Sequence, residues 1–172
     1  AQLLEGVTLF PQTLINVRGN MLADDRNFRW FLNRSVPDWL LEIKADSACR
    51  EVAIELHEGR RRFKFLLPGP TAPAGERARI VATNLSLADP EELLEARVTD
   101  GAVRLLAGET IEVEVENLND RLALRIDGEE VASLEVPAAP DRARSKVTLR
   151  IEAPEGSQTL VEDMKVWRDI YY

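Results

Sequence analysis

Apolar and polar residues alternate with a period of two along most of this chain. Between Thr110 and Val131 the pattern is clearest. Ile111, Val113 and Val115 alternate with Glu112, Glu114 and Glu116, and Leu122, Leu124 and Ile126 alternate with Arg121, Ala123 and Arg125. A period of two marks half-buried strands, one face apolar and one wet. Asn119-Asp120 and Asp127-Gly128 break the runs at hairpin spacing, because Asn, Asp and Gly tolerate positive φ. The segment therefore predicts consecutive antiparallel strands.

The same reading extends in both directions. Leu3 to Leu9 and Thr13 to Arg18 predict opening strands divided at Pro11. Phe28, Trp30 and Leu32 predict a strand with a buried face, and Ser35 to Asp38 a turn. Trp39, Leu41, Ile43 and Ala45 alternate with polar neighbours. Val52, Ile54 and Leu56 lead through Glu58-Gly59 into Phe63, Phe65 and Leu67. Pro68 to Gly75 cannot continue a strand and predicts an exposed loop. Arg79 to Leu87 is a further strand. Asp89-Pro90-Glu91-Glu92 carries the marks of a helix start, so a short helix through Ala96 is expected. Val98, and Val103 to Leu106, resume an extended pattern. Pro137 to Pro140 is a loop. Val147, Leu149 and Ile151, then Thr159 to Arg168, close the chain as strands. Roughly a dozen short strands with almost no helix predict an all-β, two-sheet antiparallel sandwich, with at most one or two short helices.

With 172 residues, the chain suits a single domain, 1–172, with its own core. No apolar run approaches the roughly 18–20 residues of a membrane span. The start, AQLLEGVTLFPQ, lacks the basic and apolar regions of a signal peptide. It also begins mid-pattern without Met, which fits a piece of a larger membrane-attached protein. The net charge of −8 disfavours nucleic acid. It also argues against contact with a membrane surface, although Arg60-Arg61-Arg62-Phe63-Lys64 is locally basic. That run reads as a solvated face or a guarded sheet edge, or as contact with anionic lipid or a partner. Cys49, the single cysteine, reads as a small buried hydrophobe.

Several groups invite a chemical reading. Glu112, Glu114 and Glu116 share one strand face. The outer two could serve as nucleophile and acid/base in glycoside hydrolysis, as in the laminarinase-type hydrolases that the pattern resembles, although the middle residue is Glu rather than Asp. The plain alternative is a wet face compensated by Arg121 or Arg125 across the hairpin. His57, the single histidine, would have to serve any Ser-His-Asp triad, but reads as an exposed strand-end residue. Asn117, Asn119, Asp120 and Asp127 carry calcium-type oxygens, although turn chemistry already explains them. Trp30, Trp39 and Trp167 could stack sugars, or fill a core. Asn33-Arg34-Ser35 and Asn84-Leu85-Ser86 match the glycosylation acceptor pattern. No residue is assigned as catalytic, cofactor-binding or metal-ligating, and no cofactor is expected.

Two stretches resemble known families. Val115-Glu116-Asn117, Asn119-Asp120-Arg121 and Arg125-Ile126-Asp127-Gly128 are similar to a strand–turn–strand of concanavalin A-like (laminin G or lectin-like) jelly-roll domains. Val161-Glu162-Asp163-Met164-Lys165-Val166 fits their closing strand. Trp167-Arg168-Asp169-Ile170-Tyr171-Tyr172 resembles the end of the large insert in planctomycete-type bacterial type I signal peptidases. The first resemblance implies a jelly roll. The second implies a non-catalytic, extracytoplasmic interaction domain of a membrane-anchored parent whose Ser/Lys dyad lies outside this chain. Its partner would be a protein or the host protease body, with a glycan as the alternative ligand. A free-standing glycan-binding module is the second reading and a glycoside hydrolase the third.

Overall fold

The computed structural model describes residues 7–9, 15–23, 28–32 and 38–167, apart from 87, 90, 119, 139–144, 155–156 and 158. Before residue 39, and over parts of the last two strands, the description is of the backbone. Thirteen strands and no helix are found among these residues.

Seven strands form one sheet in the order β1-β3-β12-β5-β6-β7-β8. They are β1 (Val7–Leu9), β3 (Phe28–Leu32), β5 (Glu51–Glu58), β6 (Arg61–Pro68), β7 (Arg79–Thr83), β8 (Leu93–Arg97) and β12 (Ser145–Glu152). Six form the other, in the order β11-β10-β9-β4-β13-β2. They are β2 (Ile15–Ala23), β4 (Asp38–Lys44), β9 (Thr110–Leu118), β10 (Arg121–Ile126), β11 (Glu129–Glu135) and β13 (Thr159–Trp167). Pairing is antiparallel apart from β1 beside β3.

The inward positions are the apolar halves of the alternating runs. Val52, Ile54, Phe63, Phe65, Leu67 and Ile80 of the larger sheet meet Trp39, Leu41, Ile43, Val113, Leu122 and Leu124 of the smaller one, each at most 1% exposed. A continuous two-layer core of this kind is what holds a sandwich together. Cys49 is buried within it as a free thiol, and burial pushes its pKa up. The turn residues behave as their chemistry dictates. Asp127 and Gly128 take φ of 50° and 82°, joining β10 to β11, and Asp120 takes 60° between β9 and β10.

Four expectations need correction. No helix forms after Asp89. Its carboxylate accepts from the Glu91 amide at 3.2 Å and its carbonyl from the Glu92 amide at 3.3 Å. This is a local turn that leads into β8, where Leu94 and Ala96 pack against the core. Residues 99–108 form turns rather than a strand. The Asp100 carboxylate accepts from Ala102, and Leu105 is drawn to Pro68 by a 2.9 Å backbone bond. The 68–75 loop is only partly exposed, since Pro68, Gly69 and Ala72 are buried. Finally, β6 is interior to its sheet, between β5 and β7, so its basic residues guard no edge. Alternation also splits the run: Arg62 is exposed and Arg61 is buried. Residues 35–37 of the expected turn, the two ends of the chain, and the Asn33, Trp30 and Trp167 side chains lie outside the described residues, while Asp38 opens β4.

Candidate functional site

Glu112, Glu114 and Glu116 lie on the outer face of the six-stranded sheet, because Val113 and Val115 between them are fully buried. The register sets their neighbours. Glu114 pairs with Arg125 on one side and Leu40 on the other. Glu116 pairs with Ala123 and Asp38, and Glu112 lies opposite Glu42. Arg125 is also in register with Glu130 of β11. One guanidinium is thus placed among three carboxylates by strand pairing alone.

The side chains use that placement. Arg125 Nη1 donates to Glu116 Oε2 at 3.2 Å and to Glu114 Oε1 at 3.4 Å. Its Nη2 donates to Glu116 Oε1 at 3.4 Å and Glu130 Oε2 at 3.5 Å. Arg121 forms a close ion pair with the other oxygen of Glu130. The hydrogen bonds that Arg125 donates to Glu116, helped by the fields of Glu116, Glu114 and Glu130, raise the Arg125 pKa. The Arg121 hydrogen bond holds the Glu130 carboxyl below its ordinary value. Arg125, Glu114 and Glu116 are only about one-fifth exposed at the side chain: 23%, 22% and 18%. The expected cross-hairpin compensation is present, with Arg125 serving β9 and Arg121 serving β11. The glutamates are half-buried rather than fully solvated.

This arrangement has chemical consequences. Hydrolysis by a carboxyl pair needs one acid kept neutral and the other free to attack. Here Glu114 and Glu116 share a single cation, which takes both oxygens of Glu116 and one of Glu114. The face is a charge-compensated lattice built on Arg125 and Arg121.

The remaining candidates fall elsewhere. His57 lies on the seven-stranded sheet, with Nε2 2.9 Å from Glu55 Oε1. Its side chain is 17% exposed, less than expected of a strand end. A triad would need a serine at that nitrogen. Burial pushes the Glu55 pKa up, but the His57 hydrogen bond and charge, with Lys64 and Arg62, outweigh it and hold it below 4.5. A depressed carboxylate contributes stability that is complete above the unfolded-state pKa and lost as pH falls through the folded one. Wild type should therefore lose stability below about pH 4.5, and Glu55→Gln should lose less over the same window. Urea midpoints at about pH 6 and pH 3 check this, and equal losses in both proteins would contradict it.

Asp120 and Asp127 lie at opposite ends of the six-residue strand β10, about 20 Å apart at the usual rise. They cannot share an ion. Asp127 Oδ1 accepts from the Glu112 amide at 2.9 Å, and Asn117 Nδ2 donates to Glu58 at 3.3 Å. Asn119 lies outside the described residues. Trp39 is 1% exposed in the core and offers no stacking face. Lys44 and Lys64 are half-buried on outer faces. Sequence reasoning missed Arg61, which is buried with its guanidinium 5.0 Å from the Phe63 ring centre. The signal was available, since Arg61 is in phase with Phe63, Phe65 and Leu67.

No protein-family model matches the chain, and no curated protein matches it. Solved structures do. The galectin LEC-6 of Caenorhabditis elegans superposes with a TM-score of 0.52 at 13% identity, over 92% of this chain and 93% of that one. Chicken galectin 2 gives 0.54 at 18% identity, over 87% and 100%. A GH16 protein of the Bacteroides ovatus mixed-linkage glucan locus, solved with a product, gives 0.58 at 11%, over 90% and 74%. At such identities the likeness concerns the fold. The chain is an all-β jelly-roll sandwich of the concanavalin A-like kind.

Proposed function

We propose that this chain is a non-catalytic interaction domain. The observation that carries the reading is the commitment of Glu114 and Glu116 to Arg125, at 3.2–3.4 Å. The best-placed acids of the fold serve a structural cation. The finer reading is an extracytoplasmic insert of a type I signal peptidase, with the host body or another protein as partner. The resemblance of residues 167–172 to the end of that insert supports it. Binding of a glycan is the second reading, and the burial of Trp39 weighs against it.

Signal-peptide cleavage of the Ser/Lys kind needs a serine close to a neutral, buried lysine. Ser145 and Lys146 are consecutive in β12, which puts them at opposite phases of the strand's two-residue repeat. Incubated with a signal-peptide substrate, the purified chain should give no cleavage, while the protein that carries it should cleave. Cleavage by the isolated chain, abolished by Ser145→Ala or Lys146→Ala, would overturn the reading.

A further inference from the structure

The inward positions of β6 are Arg61, Phe63, Phe65 and Leu67. The last three are fully buried apolar side chains, and the first is a guanidinium only 6% exposed. Buried N–H groups in proteins are almost always hydrogen-bonded. Arg61 departs from that rule: Nε, Nη1 and Nη2 all lack a hydrogen-bond partner. Phe63 lies 5.0 Å away, ring centre to guanidinium carbon. One carboxylate stands at the rim. Asp120 Oδ1 is 3.8 Å from Nη1, which is ion-pair range but beyond a hydrogen bond. Glu58 is the register partner of Arg61, yet its carboxylate accepts from Asn117 of the opposite sheet at 3.3 Å.

The charge of Arg61 is thus answered from nearby, while its donors are not. A guanidinium presents a planar fork of N–H groups whose best complement is a carboxylate held by two parallel hydrogen bonds. Asp120 sits too far away to close that fork. Its side chain is 38% exposed, whereas the Arg61 nitrogens are themselves closed to solvent, so a ligand must displace the Asp120 side chain to reach the fork. The two acids nearby make a dianion unwelcome and leave room for a single negative charge.

We infer that Arg61, between the β5–β6 and β9–β10 turns, is a socket for one carboxylate group, supplied by a small acid or by an acidic side chain of a partner. The inference deepens the interaction reading by naming the docking end and the chemistry recognised there; its test is independent of the cleavage and hydrolysis tests.

The experiment is thermal unfolding of wild type, Arg61→Met and Arg61→Lys at constant ionic strength. Acetate probes a free acid, a glutamate-containing tripeptide blocked at both ends probes a side-chain carboxylate, and sulfate and chloride are the comparisons. Wild type should gain about 3–6 °C at a probe concentration tenfold above its dissociation constant. Sulfate should give less than acetate. Arg61→Met should melt no lower than wild type in chloride, since it removes unfilled buried donors, and should lose the acetate shift. Arg61→Lys should lose most of it, having charge without a fork. A shift with acetate alone assigns a small acid, and a shift with the peptide as well assigns a partner's side chain. No shift with either probe, equal shifts in wild type and Arg61→Met, or an Arg61→Met protein melting well below wild type in chloride would overturn the socket.

Discussion

Replacing Phe65 with alanine is expected to remove about 3–5 kcal/mol of stability. Phe65 is fully buried at the centre of β6, in register with Ile54 of β5 and Ile80 of β7. Both neighbours are themselves fully buried, and their backbones are fixed by hydrogen bonds on either side. The ring therefore leaves a cavity that the surrounding strands cannot close. For a chain of this size the loss lowers Tm by roughly 10 °C or more. Urea unfolding should show a lower midpoint with an unchanged slope, because the surface exposed on unfolding is nearly the same. A loss under about 1 kcal/mol would mean that the two sheets repack readily at their centre.

Gly69→Ala should cost about 2–3 kcal/mol, by a different mechanism. A Cβ at Gly69 would lie 2.3 Å from the Cys49 carbonyl oxygen and 2.7 Å from its carbon. These are backbone atoms and cannot rotate away. The local bonds hold the approach tight. The Gly69 amide donates to Arg50 at 2.6 Å, and Arg104 donates to the Gly69 and Ala72 carbonyls at 2.8 and 2.9 Å. Gly75→Ala is the control, since nothing lies within 4 Å of its Cβ position. It should be neutral or stabilise by up to ~1 kcal/mol through the unfolded chain. Equal effects at the two positions in thermal melts would contradict this account.

The sheets were legible because strand burial leaves a local trace. Ile111 to Val115 and Trp39 to Ile43 alternate in the residue types themselves, and Asp127-Gly128 names its own turn. The Glu–Arg lattice was legible in part, because register brings Arg125 beside Glu114 once the hairpin is assigned. What failed was where local chemistry has two outcomes. An Asp that can cap a helix can equally close a turn, and only the core contact of Leu94 and Ala96 decides for a strand. Gly69 reads as loop punctuation in the sequence, but its closeness to Cys49 is a tertiary fact with no sequence pattern. Arg61 was hidden by its neighbours. Three consecutive arginines look solvated, and burying one of them depends on which phase of β6 faces inward.

On the proposed reading, Glu114 and Glu116 belong to an ion-pair lattice and this domain binds rather than cleaves. That reading is tested most directly by incubating the purified chain with mixed-linkage and 1,3-linked β-glucan and assaying new reducing ends. The account predicts none above buffer, and none from Glu112→Gln or Glu116→Gln. Reducing ends from wild type that vanish in either variant would contradict it.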